Sequence, residues 1–155
     1  MTHDVIRPLK SRDLPKLVQL ARAYWQFERI QGFSNQRYRR IASKILRDPS
    51  MGSVWIAMKG DRLIGYLVLV LLISLEYGGM VAEIDELYVD VSARGRGVGG
   101  ALLKSAGKRL WQKGIAQMSL RVGKSNPSAV RFYQKLGFRK RTEYLVMDRK
   151  GTRGW

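Results

Sequence analysis

The stretch "DVSARGRGVGGALL", Asp90 to Leu103, constrains this chain more than any other. Gly95, Gly97, Gly99 and Gly100 crowd together there, with Arg94 and Arg96 among them. A strand-like run precedes them and a helix-like run follows. Glycine loses more conformational freedom on ordering than any other residue, so a loop this rich in it has a backbone task. A glycine turn that opens a helix can hold an anion against the helix N-terminus.

The rest of the chain narrows the classes of protein that can carry such a loop. With 155 residues it suits one domain, 1–155, of which 151–155 read as a loose tail. A hydrophobic share of 45% suits a globular core. There is no cysteine, which excludes disulfides, thiolate metal sites and a cysteine nucleophile. His3 is the one histidine, so neither a Ser-His-Asp mechanism nor a metal site is expected. The net charge of +17 reads either as solubility alone or as a surface for an anionic partner, nucleic acid or a phosphorylated cofactor. "MTHDVIRPLK" has no apolar leader core, and the longest apolar run, Leu63–Leu75, is too short to cross a membrane. A cytoplasmic protein without a membrane partner is the expectation.

Periodicity orders the elements. "VIRPLK", Val5–Lys10, reads as a strand. Ser11 or Asp13 can cap a helix with Pro15 in its first turn and Leu14, Leu17, Val18, Ala21 and Trp25 on one stripe. A second helix carries Tyr38, Ile41, Ala42, Ile45 and Leu46, ending at Asp48-Pro49. "SVWIAMK" and "LIGYLVLVLLISL" flank a "KGDR" turn. After "EYGG" comes the strand "VAEIDELYV", Val81–Val89. The glycine loop and its helix follow, then a strand at Ala116–Val122. A helix capped by Asn126 and stopped by Gly137 comes next, and "EYLVMDRK" reads as a last strand. This is a mixed α/β (α+β) domain.

The literal G-x-G-x-x-G of Gly95, Gly97 and Gly100 also fits a dinucleotide fold. That fold opens with this unit, whereas about 90 residues precede it here. No Gly-Lys-Ser/Thr follows, so it is not a P-loop. A second set of matches joins it. Arg94–Gly99 fit Arg/Gln-x-x-Gly-x-Gly, "NPSAVRFYQKLGF" fits Asn-x-x-Ala-x-x-Phe-Tyr-x-x-x-Gly-Phe, and "DELYVD" stands just before the loop. In this order and spacing the three resemble the GNAT superfamily of N-acetyltransferases over nearly the whole chain.

That resemblance implies a GNAT-like fold, a central and mostly antiparallel sheet flanked by about four helices. It implies acetyl-CoA as co-substrate, its pyrophosphate cradled by Arg94, Gly95, Arg96, Gly97, Val98, Gly99 and Gly100. Successive N–H groups in a glycine turn converge on phosphate oxygens, and the helix start adds partial positive charge. Leu87, Tyr88 and Val89 would line the pantetheine arm, with the Val89 N–H facing the thioester carbonyl. Asn126 would contact pantetheine or merely cap its helix. Tyr133 would protonate the departing thiolate, although an isolated tyrosine there would read as packing.

Five of the twelve acidic residues are Glu76, Glu83, Asp85, Glu86 and Asp90. They can pair with neighbouring arginines, or form a pocket that draws in a cationic amine and removes its proton. Regular alternation puts Glu83, Asp85, Leu87 and Val89 on one face and Glu86 and Tyr88 on the other, unless a bulge intervenes. The resemblance makes Asp85 the base, with Glu86 binding or supporting. The expectation is therefore acetyl transfer to a primary amine on a small molecule or peptide, by direct attack in a ternary complex. A homodimer is compatible with it. A silent acyl-CoA sensor and a basic nucleic-acid-binding module are the alternatives. Nucleic acid is not the expected partner, because no recognition-helix pattern stands out.

Overall fold

The computed structural model describes residues 4–151, so His3 and the tail beyond Gly151 lie outside the described residues. Its contacts divide the chain at Arg121 into two units.

The first unit is built on five strands in the order β1-β2-β3-β4-β5. They are β1 (Val5–Pro8), β2 (Gly52–Lys59), β3 (Arg62–Ser74), β4 (Gly79–Val89) and β5 (Met118–Leu120). The first four pair antiparallel and β5 joins β4 in parallel. The sheet is thus mostly antiparallel, as the resemblance implied. Gly60, at φ +57°, and Asp61 make the tight β2–β3 hairpin. Strand β3 is buried on both faces from Leu63 to Leu69, which is why its sequence runs apolar without alternation.

Helices α1 (Leu14–Phe27) and α2 (Asn35–Arg47) cover one face. Leu14, Leu17, Leu20 and Ala21 of α1 and Ala42 and Ile45 of α2 pack with Val54, Ile56, Tyr66, Val68 and Tyr88. Ile41 points away from that core and is exposed, so the α2 stripe runs through Tyr38, Ala42 and Ile45. Ser34 caps α2. Asp13 precedes α1 without capping it. Its carboxylate instead accepts both Arg7 guanidinium nitrogens, at 2.7 and 2.9 Å, and the Lys10 N–H.

Helix α3 (Val98–Gln112) takes the other face. A Cβ on Gly65 would lie 3.3 Å from Val98 and 3.4 Å from Leu102, so the missing side chain sets how closely α3 approaches β3. Gly114, at φ +75°, follows the helix as expected.

The second unit holds α4 (Pro127–Lys135), capped by the Asn126 side chain and followed by Gly137 at φ +90°. The strand expected at "EYLVMDRK" is not formed. Residues 143–150 are irregular, and Leu145 and Met147 are almost fully exposed. Branched and aromatic residues give strand propensity, but a strand is defined by its ladder, and none of the described strands pairs with this segment. The strand expected at 116–122 shrinks to the three residues that meet β4.

Candidate active site

Strand β4 carries the acidic island, and its pairing with β3 breaks in the middle of it. Val68 faces Glu86, and the next β3 residue, Leu69, faces Ile84. Asp85 is the extra residue of a bulge, with no partner across the ladder. The bulge changes the face assignment. Glu83, opposite Val70, shares the helix α1/α2 face with Glu86, opposite Val68, because Val70 and Val68 lie two apart on β3. Regular alternation had placed Glu83 with Leu87 and Val89, and that grouping is corrected here.

The three carboxylates have different surroundings. Glu83 pairs with Arg121 at 2.9 Å. Asp85 is exposed. Loss of surrounding water beside the sheet and then the nearby Glu83 raise its carboxyl above the ordinary range, while Arg121 opposes them. Glu86 is buried, at 8% exposure. Its Oε1 accepts Trp25 Nε1–H at 2.8 Å, and its Oε2 accepts the hydroxyls of Tyr38 at 2.5 Å and Tyr66 at 2.9 Å. Burial raises the Glu86 carboxyl, and the three donors pull the other way. The same burial, with the carboxylate alongside, pushes both tyrosine hydroxyls far above the phenol range. Both remain protonated donors.

Trp25, Tyr38 and Tyr66 were not read as site residues in the sequence. Trp25 and Tyr38 sit on core stripes, and Tyr66 lies inside an apolar run. Their common signal is a polar tip on an otherwise apolar position, which demands a partner once buried.

Beyond Ile84, β5 no longer accompanies β4: its pairing ends at Ile84 with Leu120. The Asp90 N–H donates to the Ile64 carbonyl at 2.9 Å, making Gly65 and Val89 a non-hydrogen-bonded pair across β3 and β4. The backbone N–H and C=O of Val89, and of Leu87 two residues before, therefore point away from β3 toward the edge that β5 has left. Tyr88 differs. Its backbone faces β3, and its buried ring lies among Tyr24, Phe27 and Tyr66. Leu87 and Val89, not Tyr88, present backbone groups to that edge.

The glycine loop comes next in the chain. Gly95 at φ +74° and Gly97 at φ +80° occupy left-handed backbone that side chains disfavour. Gly97 is the N-cap of α3 and has no side chain to satisfy its first N–H groups. The first intrahelical bond runs from Ala101 N–H to Gly97 C=O, so the N–H groups of Val98, Gly99 and Gly100 precede it. No acidic residue stands in that turn. Arg94 donates Nε–H to the Val89 carbonyl at 3.0 Å and stacks on Phe27 and Tyr88, with its guanidinium 4.6 and 5.3 Å from the ring centres. Arg96 is exposed. This donor set suits a diphosphate: backbone N–H groups, a helix N-terminus and guanidinium charge, while the Asp90 carboxylate at the start of the loop is engaged by Ser92 and Arg62.

Two candidates belong to the second unit. The Asn126 side-chain oxygen accepts the Ala129 N–H at 3.0 Å, so capping is one role it fulfils. The half-buried Tyr133 ring meets Phe132 and Phe138 edge-on, at 5.1 and 5.5 Å between centres. Among the described residues, no helix is long and apolar enough to cross a membrane.

Comparison with known proteins agrees with this arrangement. The profile of the Acetyltransferase (GNAT) family matches residues 14–138. Over 58 residues the chain is 45% identical to an uncharacterized N-acetyltransferase of Methanocaldococcus jannaschii, a match spanning 37% of this chain and 26% of that protein. It is 27% identical over 146 residues to the spermidine N(1)-acetyltransferase of Thermoplasma acidophilum, covering 86% of this chain and 87% of that one. The crystal structure of an integron cassette protein from the mobile metagenome of Cole Harbour Salt Marsh superposes with a TM-score of 0.83 at 26% identity, covering 95% and 91% of the two chains. With its profile match spanning most of its length, the chain belongs to the acetyltransferase (GNAT) family of enzymes.

Proposed function

We propose that this chain transfers the acetyl group of acetyl-CoA to a primary amine on a cationic small molecule or peptide, by direct attack in a ternary complex. The observation that carries the reading is the separation of β5 from β4 after Ile84, which leaves the outward-facing Leu87 backbone and Val89 N–H without a partner strand just before the glycine turn. A pantetheine arm can pair with such an edge while its diphosphate meets the N–H groups of Val98, Gly99 and Gly100. The similarity to a spermidine acetyltransferase supports a cationic amine as acceptor.

In this reading Asp85 takes a proton from the incoming ammonium. The neutral nitrogen attacks the thioester carbonyl carbon, and the Val89 N–H stabilises the developing oxyanion. The C–N bond forms as the C–S bond breaks. Tyr133 gives its proton to the leaving sulfur, and the second proton of the attacking nitrogen leaves through water, which restores the Tyr133 hydroxyl. Glu86 holds its three donors and orients the wall beside Asp85. Both of its oxygens already accept hydrogen bonds, which supports Asp85 rather than Glu86 as the base. Titrating the protein with acetyl-CoA by calorimetry, then repeating with Arg96→Gln, tests the cofactor assignment. The variant binds several-fold more weakly if the loop holds the diphosphate, and equally well if it does not.

A further inference from the structure

A groove on the outer side of α2 shares no residue with the site above. It has a volume of about 510 Å³ and is lined by Asn35, Gln36, Arg39, Arg40, Ser43 and Arg47, all from α2. Gln36, Arg40, Ser43 and Arg47 fall at successive intervals of four, three and four residues, so they form one straight row along the helix. Ala42 and Ile45, on the opposite side, hold α2 to the core. Arg39 and Lys44 flank the row.

These cations have no anion of their own. Helix α2 contains no acidic residue. The side chains of Arg39, Arg40, Lys44 and Arg47 make no ion pair or hydrogen bond among the described residues. The adjacent Asp48 is engaged by the Ser50 N–H and hydroxyl. Like charges held this close repel one another, so the row is electrostatically unfavourable in isolation. In a chain of net charge +17 it has no internal compensation.

We propose that α2 docks on duplex DNA, with Arg39, Arg40 and Arg47 binding backbone phosphates. Guanidinium groups match phosphate oxygens in two-point geometry. An acidic protein fits less well, because protein interfaces centre on aromatic or aliphatic anchors and this row contains none. The form of the helix favours DNA over duplex RNA: the B-form major groove admits an α-helix, whereas the A-form one is deep and narrow. The sequence argued against nucleic acid because no recognition-helix pattern stood out. The evenly spaced, unpartnered row became visible only on the folded helix. The proposal is independent of acetyl transfer.

Fluorescence anisotropy with a labelled mixed-sequence DNA duplex of about 20 base pairs, titrated across salt concentrations, tests it. The combined variant Arg39→Gln/Arg40→Gln/Arg47→Gln is compared with Lys104→Gln/Lys108→Gln/Arg109→Gln, which removes the same charge from the exposed side of α3. The α2 variant loses at least about tenfold in affinity, and its salt dependence falls by about three phosphate contacts. The α3 variant stays within about threefold, as expected when only the long-range field changes. Thermal melts of both variants lie no lower than the parent's, since every replaced side chain is exposed and the α2 changes relieve like-charge repulsion. Four results overturn the proposal: no duplex binding by the parent protein, equal losses in the two variants, tighter binding to an RNA duplex of the same sequence, or better competition by polyglutamate than by unlabelled DNA.

Discussion

Tyr38, on helix α2, donates its hydroxyl to the buried Glu86 carboxylate of β4 at 2.5 Å. With Tyr66 and Trp25 completing the set, one side chain ties together α1, α2, β3 and β4. Glu86 has no cation partner among these contacts, so its ionised form depends on neutral donors alone. Removing one of them leaves the charge under-satisfied. Tyr38→Phe lowers stability by about 1.5–3 kcal/mol at neutral pH, the usual scale for a hydrogen bond to a charged group. The loss shrinks at acid pH, where Glu86 is protonated. Denaturant melts at two pH values measure both.

Glu86 itself sets a second pH dependence. Burial raises its folded-state pKa above the unfolded value. The folded state therefore holds this proton to higher pH than the unfolded state does. Its contribution is fully favourable below the ordinary glutamate range and declines as pH rises through the raised value. Glu86→Gln has no proton to lose, so its stability curve lacks that decline. Melts from acid to neutral pH, compared between parent and variant, show the difference.

Arg7 and Asp13 act in the opposite sense. The Arg7 guanidinium holds the buried Asp13 carboxyl below the aspartate range. That stabilisation is present above the unfolded aspartate pKa and is lost as pH falls through the depressed one. Asp13→Asn costs about 1–3 kcal/mol at neutral pH, and less in acid as the parent protonates. Acid melts of the two proteins converge if the pair is responsible.

Much of this architecture was legible in the sequence. The helix stripes of Leu14, Leu17 and Ala21, the Gly60-Asp61 hairpin and the Gly114 and Gly137 stops follow from local periodicity and turn chemistry. The glycine loop was legible for the same reason: Gly95 and Gly97 occupy the left-handed conformations that only glycine adopts readily. What escaped depends on partners distant in the chain. The Asp85 bulge arises because β3 and β4 differ by one residue across their ladder, which no single strand encodes. The donors to Glu86 come from three separate elements. Tyr144–Met147 have strand composition but form no ladder with any described strand, so composition misled there.

Gly97 links the fold to the cofactor assignment. A Cβ there would meet no atom within 4 Å, so the penalty of substitution lies in the backbone at φ +80°. Gly97→Ala lowers stability by about 1–2 kcal/mol, the cost of left-handed backbone for a residue with a Cβ. It also weakens coenzyme A binding beyond what Arg96→Gln does, because the side chain intrudes on the N–H cradle. The rise in melting temperature produced by coenzyme A, measured for each variant, separates the two effects.

We propose acetyl transfer to a cationic amine with Asp85 as base and Tyr133 as acid. Its most direct test is thiol release from acetyl-CoA across a panel of amines and pH values, run on the parent, Asp85→Asn and Tyr133→Phe. The parent turns over polyamines, amino-sugars or lysine peptides. Tyr133→Phe falls by about 10²–10⁴ in rate, the scale of a lost general acid, while still binding acetyl-CoA. Asp85→Asn loses most where the amine is protonated and recovers in part as pH rises. Turnover confined to anionic amino acids, or a Tyr133→Phe rate equal to the parent's with a true substrate, would contradict it.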